Sequence, residues 1–170
     1  MKIDAIFAPS LFAFRYSGEV DNEYDRLVDN WTDVSYLRQY AKDNSIENIN
    51  KFVKDRLKDA EQIQDVLEEI TTNNQPLEFY FRTLFDTESG IKILSLQKGK
   101  IKKNGIRIYA IKIDSNCFVI TGGAIKMSQT MQDHPDSNNE LLKIDAAKEF
   151  LQEKSIFDTD SFYELIIELK

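Results

Sequence analysis

Arg107 and Tyr109 stand two residues apart in the run IRIYAIKI, and a strand, whose side chains alternate between faces, puts both on one side. An arginine fork fits a phosphate and a tyrosine ring stacks on a base, so the pair suits contact with RNA. Lys126 follows shortly after Gly122-Gly123, where the strand loses its side chains. That loss either admits a ligand or another backbone, or simply bends the strand. Lys98, Lys100, Lys102 and Lys103 crowd the turn before the run, as a solvated lysine-rich turn or as an anion-binding face. His134, the single histidine, sits in the polar stretch SQTMQDHPD and is the one side chain that ordinarily titrates near neutrality. It is either a proton-transfer group or a loop residue with no role.

These residues share a basic island. Between Ile91 and Lys126 there are eight cations against Asp114 alone, a net +7 in a chain whose total is −7, which leaves −14 to the rest. The acidic total argues against a generic nucleic-acid binder, but the segregation of sign leaves one cationic segment on an acidic body.

The conventional alternatives lack their residues. No P-loop and no G-x-G-x-x-G following a strand is present, so nucleotide binding by those motifs has no support. One histidine and one cysteine cannot build a usual zinc site, no other cofactor motif appears, and no G-x-S-x-G elbow accompanies His134. The lone Cys117 cannot form an internal disulfide, which fits a reducing, cytoplasmic setting. Asp4 interrupts the apolar start, so a signal peptide is not expected, and no stretch of about 20 apolar residues offers a membrane span.

The elements that must position these residues follow from periodicity. With 170 residues, 42% of them hydrophobic, one domain with one core is expected. KIDAIFAP and LFAFRYS read as a hairpin around Pro9-Ser10. Asp21 or Asn22 caps a helix carrying Tyr24, Leu27, Val28 and Trp31, and another follows Thr32-Asp33. Ser45 is the expected cap of a long helix with Ile49, Phe52, Val53, Leu57, Ala60, Ile63, Leu67 and Ile70 on one stripe, ended before Pro76. LEFYFRTLF is strand or short helix. From Ile91 the period changes to two, giving three antiparallel strands, IKILSL, IRIYAIKI and CFVITG, the last two joined by Asp114-Ser115-Asn116. Ser137 and Glu140 form a capping box for a helix with Leu141, Ile144, Ala147 and Leu151 inward. A final short helix is capped by Asp160 or Ser161. The domain thus divides into a strand and helical layer (1–75), a sheet core with its helix (78–153) and a short C-terminal element (158–168).

The order of these features resembles the RelE/HigB-like toxins of type II toxin-antitoxin systems (the RelE/ParE superfamily), including the phage-derived subgroup. The matching pieces are Ile106-Arg107-Ile108-Tyr109 after a basic turn, Val119-Ile120-Thr121, Lys126-Met127-Ser128-Gln129-Thr130 and the helix from Ser137, over roughly residues 78–153. The resemblance implies an α+β fold, an antiparallel sheet of three to five strands with helices on one face. It implies metal-independent cleavage of messenger RNA, often on the ribosome, and an antitoxin partner, commonly of helix-turn-helix type. Arg107 and Lys126 would then stabilise the phosphorane, with Tyr109 or His134 assisting proton transfer and the lysine turn binding RNA. The alternative is a non-cutting member of the same fold that binds an acidic partner or a nucleic acid.

Overall fold

The structure is a computed structural model and describes residues 1–83, 95–99, 104–127 and 135–170. In chain order the elements are β1 (Lys2–Phe7), β2 (Leu11–Arg15), α1 (Glu23–Trp31), α2 (Val34–Asp43), α3 (Ile49–Thr72), a 3-10 turn (Leu77–Phe79), β3 (Phe81–Thr83), β4 (Ser95–Gly99), β5 (Ile106–Asp114), β6 (Cys117–Ile125), α4 (Pro135–Glu153) and α5 (Thr159–Glu168). One mixed sheet runs β1-β2-β6-β5-β4-β3. Its body is β1, β2, β6 and β5, and the short β4 and β3 extend one edge. Every pairing is antiparallel except β2 with β6.

The α+β class expected from the sequence is what forms, with two differences in detail. Six strands pair rather than three to five, because the parallel β2–β6 pairing brings the N-terminal hairpin into the sheet. Helices cover both faces rather than one. Ile106, Ile108, Ala110, Phe118 and Ile120 join a core with α1, α2 and α3. Tyr109, Ile111, Ile113, Cys117 and Val119 join a second core with α4 and α5. A strand apolar at both odd and even positions must be covered on both sides, and β6 is buried at every residue.

Helix ends depart from the expected caps for local reasons. Ser45, at φ 56, closes α2 in the left-handed conformation with Ile46 N–H reaching back to the Ala41 carbonyl, so Asn48 caps α3 instead. Proline fits the first turn of a helix, and α4 starts at Pro135, which places Ser137 inside it rather than at its cap. Asp158 and Ser161 form the capping box of α5. Of LEFYFRTLF, Leu77–Phe79 form the 3-10 turn and Phe81–Thr83 form β3, Leu84 and Phe85 lying outside the described residues, and of IKILSL only Ser95 and Leu96 fall within them, at the start of β4. Among the described residues no helix is long and apolar enough to cross a membrane.

Candidate functional site

The sheet divides where β2 and β6 part. Their pairing runs from Leu11 opposite Phe118 to Ala13 opposite Ile120 and stops there. The next residue of β6, Thr121, is an extra one: Tyr109 pairs with Gly122 but Ala110 pairs with Ile120, a bulge on β6. The Thr121 carbonyl, freed from the ladder, accepts the Tyr16 hydroxyl at 2.6 Å, and Thr121 Oγ1 donates to the Tyr109 carbonyl at 3.1 Å.

Four charged side chains meet beside this opening. Glu23, on α1, is only 3% exposed and accepts Arg26 Nε through Oε2 and Lys143 Nζ through Oε1, each at 2.5 Å. Lys143 belongs to α4, so this carboxylate ties together helices from opposite faces of the sheet. Lys143 Nζ also lies 3.3 Å from Glu140 Oε1 and 5.7 Å from the centroid of the Tyr16 ring. Glu140 is 7% exposed, and its other oxygen, Oε2, is buried without a partner among the described residues.

The two glycines are what let the helices close in. A Cβ on Gly122 would fall 1.8 Å from Glu140 Oε2, and one on Gly123 would fall 2.6 Å from the Arg107 carbonyl oxygen and 2.9 Å from the Trp31 ring. Gly122 therefore receives α4, and Gly123 receives α1 on the other face.

Burial pushes the Glu140 carboxyl up to about 7, aided by the Glu23 carboxylate and opposed by Lys143 and Arg26. Burial likewise raises the Tyr16 hydroxyl, with Glu23 and Glu140 adding to it. A cavity of about 370 Å³ opens onto this cluster, lined by Arg26, Asn139, Glu140 and Lys143 together with Trp31, Tyr36 and Tyr40. A carboxyl poised near neutrality can accept and return a proton, and two adjacent cations can stabilise a developing negative charge. Among the described residues no group of three metal-ligating side chains is gathered.

The residues singled out in the sequence fall elsewhere. Arg107 and Tyr109 do share a face, with the guanidinium beside the phenol, but they are 8% and 1% exposed. Tyr109 packs with Ile144, Ala147 and Leu151 of α4, so the row expected to face RNA is a core layer. The cause is the second helical layer: α4 lies on the face that the sequence left open. Among the described residues Arg107 Nε and the Tyr109 hydroxyl are both buried without a partner at hydrogen-bond geometry. Lys126 is exposed just beyond β6, its backbone N–H donating to the Gly105 carbonyl at 2.7 Å. Lys98 lies on β4 in register with Tyr109. Lys100, Lys102, Lys103 and His134 lie outside the described residues.

Glu23, Arg26 and Lys143 were not singled out by type or motif, and Glu140 only as half of a capping box. Their signal was position: Glu140 continues the stripe Ile144, Ala147, Leu151, and Glu23 continues Leu27, Trp31, so each carboxylate stands on the apolar face of its helix. No protein-family model matches the chain, and no similar curated protein and no similar solved structure was found.

Proposed function

We propose that the chain is the toxin of a type II toxin-antitoxin pair, RelE/HigB-like, that cuts messenger RNA without a metal, and that Glu140 rather than the Arg107–Tyr109 row moves the proton. The observation that carries this reading is the buried Glu140 carboxyl, raised to about 7, on the wall of a cavity with Lys143 3.3 Å away. Glu140 as carboxylate accepts the proton of a ribose 2′-hydroxyl, whose oxygen attacks the adjacent phosphorus. Lys143 and Arg26 stabilise the charge that gathers on the phosphoryl oxygens. The bond to the 5′ oxygen breaks, that oxygen takes a proton from water as Glu140 passes its own proton to the hydroxide left behind, and the products are a 2′,3′-cyclic phosphate and a 5′-hydroxyl. An antitoxin, of helix-turn-helix type in the resembled family, would neutralise the activity.

Induced expression in bacteria tests it. Growth should arrest, cleaved RNA should carry 2′,3′-cyclic ends, and Glu140→Gln should relieve the arrest while the chain remains folded. Normal growth with intact RNA at high expression overturns the reading.

A second reading, a RelE-fold protein that binds without cutting, is favoured by the burial of Arg107 and Tyr109, the pair the resemblance would make catalytic. It expects normal growth together with RNA affinity that falls with salt at a log-log slope of roughly −2 to −3 for about four phosphate contacts on a single strand.

A further inference from the structure

The cavity between α1, β6 and α4 is lined by two chemically different sets of side chains. One is ionic. Arg26 and Lys143 are each 30% exposed while held on the buried Glu23, so both cations reach the cavity with their positions already fixed. With Glu140 protonated, these four side chains carry one net positive charge, a setting that favours an anion.

The other is aromatic: Trp31, Tyr36 and Tyr40. Trp31 is 3% exposed and packs against Gly123. Tyr40 stacks on Phe52 at 6.1 Å with 4° between the ring planes, which backs it from the core. Tyr36, one helical turn earlier on α2, lies 6.3 Å from Tyr40 and is 36% exposed, so it is the ring that a ligand meets first.

Size limits the occupant. About 370 Å³ is near the lower end of the ~300–1,000 Å³ of small-ligand sites, enough for one ring with a sugar and a phosphate and too little for a folded or paired nucleic acid. A purely apolar ligand would cover the exposed parts of the two cations, taking their remaining N–H donors from water with only Glu23 to share between them, and inorganic phosphate alone would leave the aromatic residues unused.

We propose that this cavity binds a single nucleotide unit, its base stacked on the Tyr36 ring and its phosphate held by Arg26 and Lys143. The inference rests on reading the cavity as the RNA site, since a single strand presents such a unit, but it concerns binding and not cleavage. Asn139, with both a donor and an acceptor, is the wall residue able to read a base edge.

Trp31 is the only tryptophan of the chain, so its emission reports the site directly. The experiment titrates the purified full chain with each of the four nucleoside 3′-monophosphates, with ribose 5-phosphate and with inorganic phosphate, and repeats the nucleotide titrations by calorimetry. At least one nucleotide should give saturable binding at least tenfold tighter than ribose 5-phosphate. Tyr36→Leu should weaken it by about tenfold, the scale of one base–aromatic stack, while Tyr36→Phe should retain it. Tyr36 is half-exposed, so these variants keep the fold, and matching denaturation midpoints check that.

Equal binding of nucleotide and ribose 5-phosphate overturns the stacking assignment, and the absence of saturable binding by both methods overturns the proposal. The two readings fail separately. RNA cleavage without mononucleotide binding removes this inference alone, and mononucleotide binding with intact cellular RNA removes the nuclease alone.

Discussion

The Glu140 carboxylate occupies the place of a side chain at Gly122: a Cβ there would lie 1.8 Å from Oε2 and 3.0 Å from Cδ. Gly122→Ala must therefore displace the carboxylate. Because the clash is with the far end of a flexible chain, the expected loss is that of ordinary overpacking, about 1–3 kcal/mol. Gly123→Ala meets the Arg107 backbone oxygen at 2.6 Å and the Trp31 ring at 2.9 Å, neither of which can swing away, and should cost more. Urea denaturation of the two variants checks the order. Gly122→Ala combined with Glu140→Ala should recover much of the first loss, because the two changes share one contact.

Stability should depend on the ionisation of Glu140. Its carboxyl is raised to about 7 in the folded chain from an ordinary 4.5, so between those values the folded state holds a proton that the unfolded state has released. Stability from this group is therefore full below about pH 4.5 and lost as pH rises toward 7, a span on the order of 3 kcal/mol. Asp114 acts oppositely and at lower pH, since the backbone N–H of Asn116 and the Thr159 hydroxyl hold it below the usual carboxylate range. The difference between wild type and Glu140→Gln isolates the effect. Glu140→Gln should be the more stable protein at pH 8 and about equal at pH 5, measured by chemical denaturation across that range.

Glu23 gives a non-additive prediction. It is nearly fully buried and has two cations, Arg26 and Lys143, each partly exposed. Lys143→Met keeps an apolar stem beside Tyr16 and leaves Glu23 with Arg26, so it should cost about 2 kcal/mol, near the value of one hydrogen bond to a charged group. Arg26→Met should act similarly. The double variant leaves a buried carboxylate with neither cation and should lose more than the sum of the two, by 1 kcal/mol or more. A double-mutant cycle in urea measures that excess, and strict additivity would show that Glu23 is solvated rather than held.

How far the sequence carried can be argued from these same residues. The β5–β6 hairpin and its Ser115-Asn116 turn, the helix stripes and the shared face of Arg107 and Tyr109 were legible because period two and period 3.6 are local properties. Which side of β5 is covered is not local. Residues 106 to 111 are buried on both faces, and the odd positions carry Arg107 and Tyr109, whose polar ends point to solvent in the sequence although α4 lies over them in the fold. Glu140 was misassigned for a related reason. Three residues after a serine it has the form of a capping box, but the helix begins at Pro135 and carries Glu140 inward on the stripe of Ile144 and Ala147. The Gly122-Gly123 alternative, close approach or bend, resolves into both: a bulge at Thr121, and two glycines each admitting a different helix.

Under the proposed function, exposure separates two of the residues first singled out, since Tyr109 is buried and Lys126 is not. Tyr109 is 1% exposed with a buried hydroxyl that has no hydrogen-bond partner among the described residues, so Tyr109→Phe removes a polar atom from the core and should leave stability unchanged or raise it by up to about 1 kcal/mol. It should also leave growth arrest and RNA affinity unaltered. Lys126 is exposed at the end of β6 and forms no ion pair among the described residues, so Lys126→Ala should shift stability by less than about 0.5 kcal/mol. If it meets a phosphate, the variant should bind RNA more weakly regardless of sequence, with a salt slope shallower by about one. Filter binding at several salt concentrations, run on both variants, separates the two positions. Loss of RNA binding in Tyr109→Phe with an unchanged slope in Lys126→Ala would mean that α4 leaves the sheet when RNA binds, and that the site lies on β5 after all.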